Sequence, residues 1–155
     1  MIDKKEQPVI KIVVVDDHAV VRQGLKMFLA LDTALEVVGE AANGQEAIRQ
    51  AEELAPDVVL MDLKMPRLGG IPATRKIRAA LPETHVIILT TYDADDMVFE
   101  GIKAGAQGYL LKDASPDELV RAIRVVARGG SLLQPTVAAR VLDKLSELMA
   151  AGETL

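Results

Sequence analysis

Short apolar runs alternate with longer amphipathic stretches along most of this chain. The runs are mostly continuous, as in strands that are covered on both faces, and lie at Val9–Val15, Leu35–Glu40, Asp57–Met61, Val86–Leu89 and Gly108–Leu111. The stretches between them predict helices at about 19–30, 44–54, 70–80, 94–104 and 116–128. Because a strand and a helix alternate five times, the pattern predicts a doubly wound α/β fold with a parallel sheet.

Local signals mark several of the predicted helix ends. Asn43–Glu46 and Ser115–Glu118 each place a capping side chain three residues before an acid, and the second has a proline at the first helical position. Gly129–Gly130 is predicted to end the fifth helix. Gln134–Pro135 then leads into one further helix, at about 136–149.

This last helix carries an apolar seam. Ala138, Leu142, Leu145 and Met149 recur at a 4-3-4 spacing, and two more residues widen the seam, namely Val141 and Leu148. A helix this short is marginal in water by itself. We therefore expect the seam to pack on the sheet domain of the same chain, on a second chain or on a further domain. If it does not, we expect the helix to be mobile and partly frayed.

Composition narrows the class of protein. Of the 155 residues, 50% are hydrophobic and 26% charged, which is ordinary for a globular domain. The absence of cysteine excludes disulfides and thiolate metal sites, and no apolar run approaches 18 residues. A soluble cytoplasmic protein with no membrane partner is expected. The net charge of −5 argues mildly against a nucleic-acid-binding surface.

Chemically active side chains follow the predicted strands at the points where they end. Asp16 and Asp17 follow the first strand, Asp62 the third, Thr90 the fourth and Lys112 the fifth. Because the carboxyl ends of parallel strands meet at one edge of a sheet, we expect these side chains to converge. Thr91 competes with Thr90 for the role of the hydroxyl.

Three carboxylates close together repel one another and require a cation. Oxygen ligands favour a hard ion, so Mg²⁺ (or Mn²⁺) is the expected cofactor. A lysine beside that cation makes a site for a phosphoryl group, whose transfer is catalysed mainly by positioning and charge neutralisation. Asp62 is then the expected nucleophile, and an acyl phosphate is the expected product. Each acid alone could equally be a strand-end turn or a helix cap.

Four segments resemble the receiver domains of two-component response regulators, and the similarity covers about residues 9–129. They are Val13–His18, Leu60–Pro66, Ile88–Thr90 and Gly105–Lys112. Finer features are similar to the LuxR/NarL-type subfamily. These are Asp17–Leu25, Tyr109–Asp113, and Gly129–Gly130 followed by Pro135 and a helix.

The resemblance implies a CheY-like (flavodoxin-like) sheet of five parallel strands in the order 2-1-3-4-5, with a C-terminal linker helix. It divides the chain into a receiver domain at 9–129 and a linker at 130–155, and we expect the chain to stop short of a helix-turn-helix domain. The implied function is a phosphorylation switch that controls transcription, rather than an enzyme acting on other substrates. The implied partners are a sensor histidine kinase and, through the missing domain alone, DNA. The seam of the last helix favours a second copy as a further partner, in a homodimer that strengthens on phosphorylation.

The resemblance also assigns the metal site. Asp17 matches a direct ligand, and Asp16 matches a neighbour that helps to hold the metal. Asp62 matches the phosphoacceptor, which also contacts the metal. The backbone carbonyl of Lys64 matches the third protein contact.

Three further residues match the phosphoryl-binding and switch positions. Thr90 matches the hydroxyl that turns towards the phosphoryl group, and Lys112 matches the lysine that pairs with it. Tyr109 matches the aromatic residue whose ring moves inward when Thr90 is recruited. His18 and His85 are expected to be structural or exposed, since neither has an evident partner in the sequence.

Three other functions fit less well. A phosphatase with an aspartyl nucleophile would show an Asp-x-Asp motif and a cap insertion, whereas here the first strand ends in adjacent aspartates. A flavodoxin-like carrier would need a hydroxyl- and glycine-rich phosphate loop and aromatic residues for the flavin. A degenerate receiver would have lost Asp62, Lys112 or one of the acidic pair, and all of these are present.

Overall fold

The computed structural model describes residues 8–91 and 97–152, and within them it contains one parallel sheet. The strands are β1 (Ile10–Val15), β2 (Leu35–Ala41), β3 (Val58–Met61), β4 (His85–Thr90), β5 (Gly108–Leu111) and β6 (Leu132–Leu133). Their order across the sheet is β2-β1-β3-β4-β5-β6. The predicted doubly wound α/β class and the order of the first five strands are therefore confirmed.

Helices connect the strands and cover both faces of the sheet. They are α1 (Ala19–Leu29), α2 (Gly44–Leu54), α3 (Gly70–Ala80), α4 (Val98–Lys103), α5 (Pro116–Ala127) and α6 (Pro135–Ala150). The predicted start of the fourth helix, at residue 94, lies outside the described residues. No helix in the described ranges combines the length and the apolarity that crossing a membrane requires.

The two faces of the sheet bury separate apolar clusters. Along β1, Val13 and Val15 join the cluster formed with α2, α3 and α4, while Ile12 and Val14 join the one formed with α1 and α5. Successive strand residues point to opposite faces, so a continuous apolar run is required where both faces are covered. This explains why most of the predicted strands show no alternation with polar residues.

The predicted count of five strands is wrong by one, because a short strand extends the sheet beyond β5. Leu132 and Leu133 pair in parallel with Gly108 and Tyr109. Two residues are too few to produce a periodic pattern, and the strand directly follows the turn at Gly129–Gly130 and Ser131.

The predicted helix caps are confirmed. Asn43 Oδ1 accepts a hydrogen bond from the N–H of Glu46 at 2.9 Å, and Asn43 Nδ2 donates to the Glu46 carboxylate. Ser115 Oγ accepts from the N–H of Glu118 at 3.2 Å. After α5, Gly129 has a φ of +89°, a left-handed conformation that glycine adopts without a steric penalty.

The first half of α6 packs on its own sheet domain. Val137 is buried in the cluster that contains α4, and Val141 packs against the same cluster. Leu142 and Met149 of the predicted seam are 63% and 69% exposed. The packed side of α6 therefore includes Val137, which was not among the expected contacts, and Val141, which widens the predicted seam.

The start of α6 is also tied to β5 by hydrogen bonds. The N–H of Gln134 donates to the carbonyl of Tyr109 at 3.1 Å. The side-chain oxygen of Gln134 accepts from the N–H of Leu111 at 2.8 Å. Gln134 thus binds the strand at two points, immediately before the helix begins.

Gly24 lies in the interior of α1, and no packing contact within the chain requires a glycine there. A Cβ atom added there would meet nothing within 4 Å, and glycine inside a helix costs about 0.5–1 kcal/mol relative to alanine. We therefore predict that Gly24→Ala raises the free energy of unfolding by about 0.5–1 kcal/mol, measured by urea denaturation in dilute solution.

Gly101→Ala in α4 is the matched control for this substitution. A Cβ atom at Gly101 would lie 2.7 Å from Ile88 Cδ1 and 3.0 Å from Tyr109 Cε2, so this variant should lose stability. If Gly24→Ala lost as much stability as Gly101→Ala, the space beside Gly24 would not be open as described.

Candidate functional site

Two aspartates are held at the carboxyl edge of the sheet by the backbone of neighbouring strands. The N–H of Asp16 donates to the carbonyl of Ala41 at 3.1 Å, and that of Asp62 donates to the carbonyl of Val15 at 3.0 Å. Because Asp16 follows β1 and Asp62 follows the adjacent β3, the parallel register places the two side chains side by side.

A cluster of metal-ligating atoms forms at this edge. One carboxylate oxygen each from Asp16, Asp17 and Asp62, and one ring nitrogen from His18, all lie within 4.8 Å of one another. Asp16 and Asp62 are buried, while Asp17 is exposed. The structure thus brings together the three acids that the sequence predicted to converge.

Lys112 lies across this cluster from its position directly after β5. Its Nζ is 2.8 Å from Asp16 Oδ2 and 3.4 Å from Asp62 Oδ2. Burial alone would lower the pKa of Lys112, but the hydrogen bond with Asp16 and the charges of both aspartates raise it above its ordinary value. Lys112 is therefore a fixed cation between two carboxylates.

The carboxyl group of Asp62 binds its proton more tightly than an ordinary aspartate. Burial raises its pKa most, and the negative charge of Asp16 raises it further, against the opposing effects of Lys112 and of the N–H of Leu63. An additional cation at the cluster would favour the ionised form. The site therefore has the electrostatic character of a cation-binding pocket.

Gly70, at the start of α3, allows the backbone around Asp62 to adopt its position. A Cβ atom at Gly70 would lie 2.1 Å from the carbonyl oxygen of Asp62 and 2.9 Å from Leu63 Cα. The N–H of Gly70 donates to the carbonyl of Leu63 at 2.9 Å. Sequence reasoning missed this residue, although the pair Gly69–Gly70 in the loop after Asp62 was a signal of close backbone approach.

The predicted hydroxyl and aromatic residues occupy β4 and β5, the next two strands of the sheet after β3. Thr90 is buried at the end of β4, and its carbonyl accepts a hydrogen bond from the N–H of Lys112 at 2.7 Å. Thr91 is exposed, which favours Thr90 as the functional hydroxyl. Tyr109 is fully buried in β5 and pairs in register with Ile88. Lys64 is an exposed residue of the loop that follows Asp62.

His18 has partners that sequence reasoning did not identify. Its Nδ1 lies 3.1 Å from a carboxylate oxygen of Asp16 and 3.1 Å from one of Asp17. Carboxylates only accept hydrogen bonds, so Nδ1 must carry a hydrogen to bind them. The expectation that His18 lacks a partner is wrong, although its side chain is exposed as predicted. These partners, Asp16 and Asp17, lie two residues and one residue before His18 in the chain.

Two further residues have clear structural contacts. Arg22 donates from Nη1 to the carbonyl of Asp16 at 2.7 Å, which fixes the backbone between Asp16 and Asp17. His85, at the opposite end of β4 from Thr90, is 2.6 Å from Gln107 Nε2. The structural role expected for His85 agrees with this contact.

Comparison with known proteins connects this site to a family. The family model described as "Response regulator receiver domain" matches residues 12–124. Transcriptional regulatory protein YdfI of Bacillus subtilis (strain 168) is 45% identical over 139 residues, covering 90% of this chain and 65% of that protein. LnrK from the same strain is 44% identical over 135 residues, with 87% and 61% covered. The chain thus spans less than two thirds of the length of these relatives.

Solved structures show the same similarity. A two-component response regulator of the LuxR family from Aurantimonas sp. SI85-9A1 superposes with a TM-score of 0.82 at 36% identity, covering 89% of this chain and 99% of that one. The response regulator ChrA of a heme-sensing two-component system superposes with a TM-score of 0.75 at 37% identity, covering 89% of this chain and 66% of that one. With its acidic cluster and its lysine at the carboxyl edge of a parallel sheet, the chain belongs to the receiver-domain family of two-component response regulators, of the LuxR/NarL type.

Proposed function

We propose that the chain accepts a phosphoryl group on Asp62 from a sensor histidine kinase, in a reaction that requires a divalent cation. The observation that carries this proposal is the position of Lys112, whose Nζ lies within 3.4 Å of Asp62 and 2.8 Å of Asp16 at the edge of a three-carboxylate cluster. A buried nucleophile beside a fixed cation, with further oxygen ligands around it, is what phosphoryl transfer to a carboxylate requires.

The donor set fits Mg²⁺ or Mn²⁺. Asp16, Asp17 and Asp62 offer carboxylate oxygens, which hard cations prefer, and the backbone carbonyl of Lys64 is the remaining proposed contact. When bound, the cation would neutralise the carboxylates and the incoming phosphoryl oxygens. His18 lies at the margin of the same cluster, where its imidazole holds the side chains of Asp16 and Asp17.

The proposed reaction forms one bond and breaks one bond. An oxygen of the ionised Asp62 attacks phosphorus, and the bond between phosphorus and the donor's leaving group breaks, so that an acyl phosphate forms. Lys112 and Thr90 then bind the phosphoryl oxygens. Water later hydrolyses the acyl phosphate and releases inorganic phosphate. The chain thus catalyses only its own phosphorylation and dephosphorylation, as a switch.

Tyr109 is the residue through which we propose that the state of Thr90 reaches the surface. Its ring is buried, and a Cβ atom at Gly101 of α4 would lie 3.0 Å from its Cε2. The proposal is that a change in the position of Thr90 reaches α4 through the packing of this ring.

The proposed arrangement of the whole protein follows its relatives. Residues 9–129 act as the receiver and residues 130–155 as a linker. DNA is contacted only through a further domain, since the relatives are transcriptional regulatory proteins longer than this chain. A sensor histidine kinase and a second copy of the chain are the other proposed partners.

The direct test of this function is phosphorylation in vitro. Incubation with Mg²⁺ and acetyl phosphate should add one base-labile phosphoryl group to the wild-type chain, and intact-mass spectrometry measures it. A wild-type chain that gains no phosphoryl group at saturating donor would refute the proposal.

Mg²⁺ should also stabilise the fold through Asp17. A cation that binds the native cluster but not the unfolded chain stabilises by about 2.7 kcal/mol at about 100 times its dissociation constant. We predict that Asp17→Ala abolishes the Mg²⁺-dependent rise in Tm, measured by calorimetry. Asp143→Ala, on the exposed side of α6, is the matched control and should respond as wild type does. A normal Mg²⁺ response in Asp17→Ala would show that Asp17 is not a ligand.

A further inference from the structure

His18 directly follows the acidic pair, and it occupies the N-cap position of α1. Side chains at that position commonly accept a hydrogen bond from the helix backbone, but the side chain of His18 forms no such bond. Its imidazole instead turns towards the acids, with Nδ1 3.1 Å from an oxygen of Asp16 and 3.1 Å from an oxygen of Asp17. Capping of the helix therefore does not account for the orientation of this ring.

The spacing of these three atoms is that of donors on a single cation. Two donors bound to one ion at about 2.1 Å lie about 3.0 Å apart in octahedral geometry and about 3.4 Å apart in tetrahedral geometry. Both contacts of His18 Nδ1 fall within this range. A cation can therefore take the place of the hydrogen between Nδ1 and the two oxygens with little movement of the ring.

Asp62 completes a set of four donors. One oxygen from each of the three aspartates and a ring nitrogen of His18 all lie within 4.8 Å of one another. Donors on opposite sides of one octahedral ion are about 4.2 Å apart, so a small movement of side chains brings all four onto one ion. Asp17 and His18 are exposed and can make this movement, whereas Asp16 and Asp62 are buried.

The charges at the site favour a neutral fourth donor. Three carboxylates and the ammonium of Lys112 leave two negative charges in excess, which one divalent cation balances. Lys112 contacts Oδ2 of Asp16, while His18 contacts Oδ1, so the two groups use different oxygens of that carboxylate. Neutral imidazole therefore adds a ligand without displacing Lys112 and without adding to the repulsion among the acids.

From this geometry we infer that His18 is a ligand of the proposed cation site and makes the site select Zn²⁺ over Mg²⁺. Mg²⁺ prefers oxygen ligands, whereas Zn²⁺ binds histidine nitrogen and aspartate oxygen alike. In neutral imidazole one ring nitrogen carries the hydrogen. When Nδ1 binds the ion, that hydrogen moves to Nε2 through solvent, which reaches the 67% exposed side chain.

This ligand role rests on the proposed function, since it concerns the same cation, and it adds the class of metal that the site prefers. The family resemblance assigns oxygen ligands alone, from the three aspartates and the backbone of Lys64. Within the described part of the cluster, His18 is the one nitrogen donor. Because both ions use the same carboxylates, Zn²⁺ competes with Mg²⁺ for the site.

Nuclear magnetic resonance of the full chain, with ¹⁵N-labelled histidine, tests the ligand directly. The chain has two histidines, and His85, which contacts Gln107 at the opposite edge of the sheet, is the internal control. One equivalent of Zn²⁺ should displace the Nδ1 signal of His18 and leave that of His85 in place, whereas Mg²⁺ should leave the hydrogen on His18 Nδ1. A Zn²⁺-loaded chain whose His18 Nδ1 signal stays in place would overturn the inference.

Substitution separates a ligand from a residue that only positions the acids. His18→Gln keeps an N–H that can donate to Asp16 and Asp17 but removes the imidazole. The ratio of the Zn²⁺ and Mg²⁺ association constants, measured by isothermal titration calorimetry, should fall by about tenfold or more, since even a residue that only orients a ligand contributes about 10–100-fold to metal affinity. His85→Gln is the matched control and should keep the wild-type ratio. An equal ratio in His18→Gln and wild type would contradict the ligand role.

Failure of the ligand role and failure of the proposed function are distinguishable in the wild-type chain. A chain that binds Mg²⁺ and gains a phosphoryl group, yet binds Zn²⁺ without His18, contradicts the ligand role alone. A chain that binds neither ion contradicts the cation site and the ligand role together.

Discussion

Asp62→Asn is expected to carry no phosphoryl group after incubation with Mg²⁺ and acetyl phosphate, under conditions in which the wild-type chain gains one. The asparagine side chain has nearly the same shape, and its oxygen can still accept the hydrogen bond that the N–H of Leu63 donates at 2.9 Å. It lacks the ionised oxygen that attacks phosphorus. The expected loss of labelling is therefore complete, as measured by intact-mass spectrometry.

Asp57→Asn is the matched control for this loss. Asp57 precedes the same strand, β3, at the opposite edge of the sheet, where its carboxylate accepts a hydrogen bond from the N–H of Lys11 at 2.8 Å. This variant should be labelled as wild type is. Equal labelling of Asp62→Asn and wild type would show that another residue is the phosphoacceptor.

A measurement of thermal stability shows whether Asp62→Asn has lost only its nucleophile or has also lost its fold. Folding raises the pKa of Asp62, so the ionised carboxylate lowers the free energy of unfolding at any pH above the pKa that Asp62 has in the unfolded chain. At low pH the group is protonated in both states, and this loss of stability is absent. In the absence of Mg²⁺ at neutral pH, Asp62→Asn should therefore be no less stable than wild type. Lys112 keeps its contact with Asp16 in that variant.

Gly70→Ala is expected to cause the largest loss of stability among single-methyl additions near the site. The new Cβ atom would lie 2.1 Å from the Asp62 carbonyl oxygen, and backbone atoms cannot yield as a side chain does. Either α3 or the loop after β3 must move, at a cost of about 1–3 kcal/mol or more, measured by urea denaturation. Because Asp62 belongs to that loop, the rate of phosphorylation should fall as well.

Gly69→Ala provides the neighbouring comparison. Its Cβ atom would lie 3.2 Å from the carbonyl oxygen of Leu63, so a shift of a few tenths of an ångström relieves the contact. We expect it to lose clearly less stability than Gly70→Ala. If both variants were equally stable, the close approach of α3 to Asp62 would not constrain the site.

The fold class could be predicted from the sequence because most of the strands are continuous apolar runs. Such runs arise where both faces of a parallel sheet are covered, and the capping residues Asn43 and Ser115 mark where the helices begin. β6 could not be predicted, since Leu132–Leu133 contains no period and is defined only by pairing with β5. Tertiary contacts, and not local pattern, create this strand.

The convergence of the candidate site was also predictable, because strand ends in a parallel sheet meet at one edge. This rule brings Asp62 to the acidic pair and Lys112 to both. It does not give side-chain direction, which is why the contact between His18 and the aspartates was missed. In the same way, helical periodicity located α6 and included Val141 in its apolar seam, but it did not identify Val137, which is buried in the cluster that contains α4.

The two hydrogen bonds of Gln134 to β5 attach the start of α6 to a strand of the sheet. With 16 residues, this helix is about 24 Å long. A tilt of about 10° at its first turn therefore moves its last turn by about 4 Å, roughly the width of a side chain. A small displacement of β5 that tilted the start of α6 by this angle would thus be enlarged along the helix.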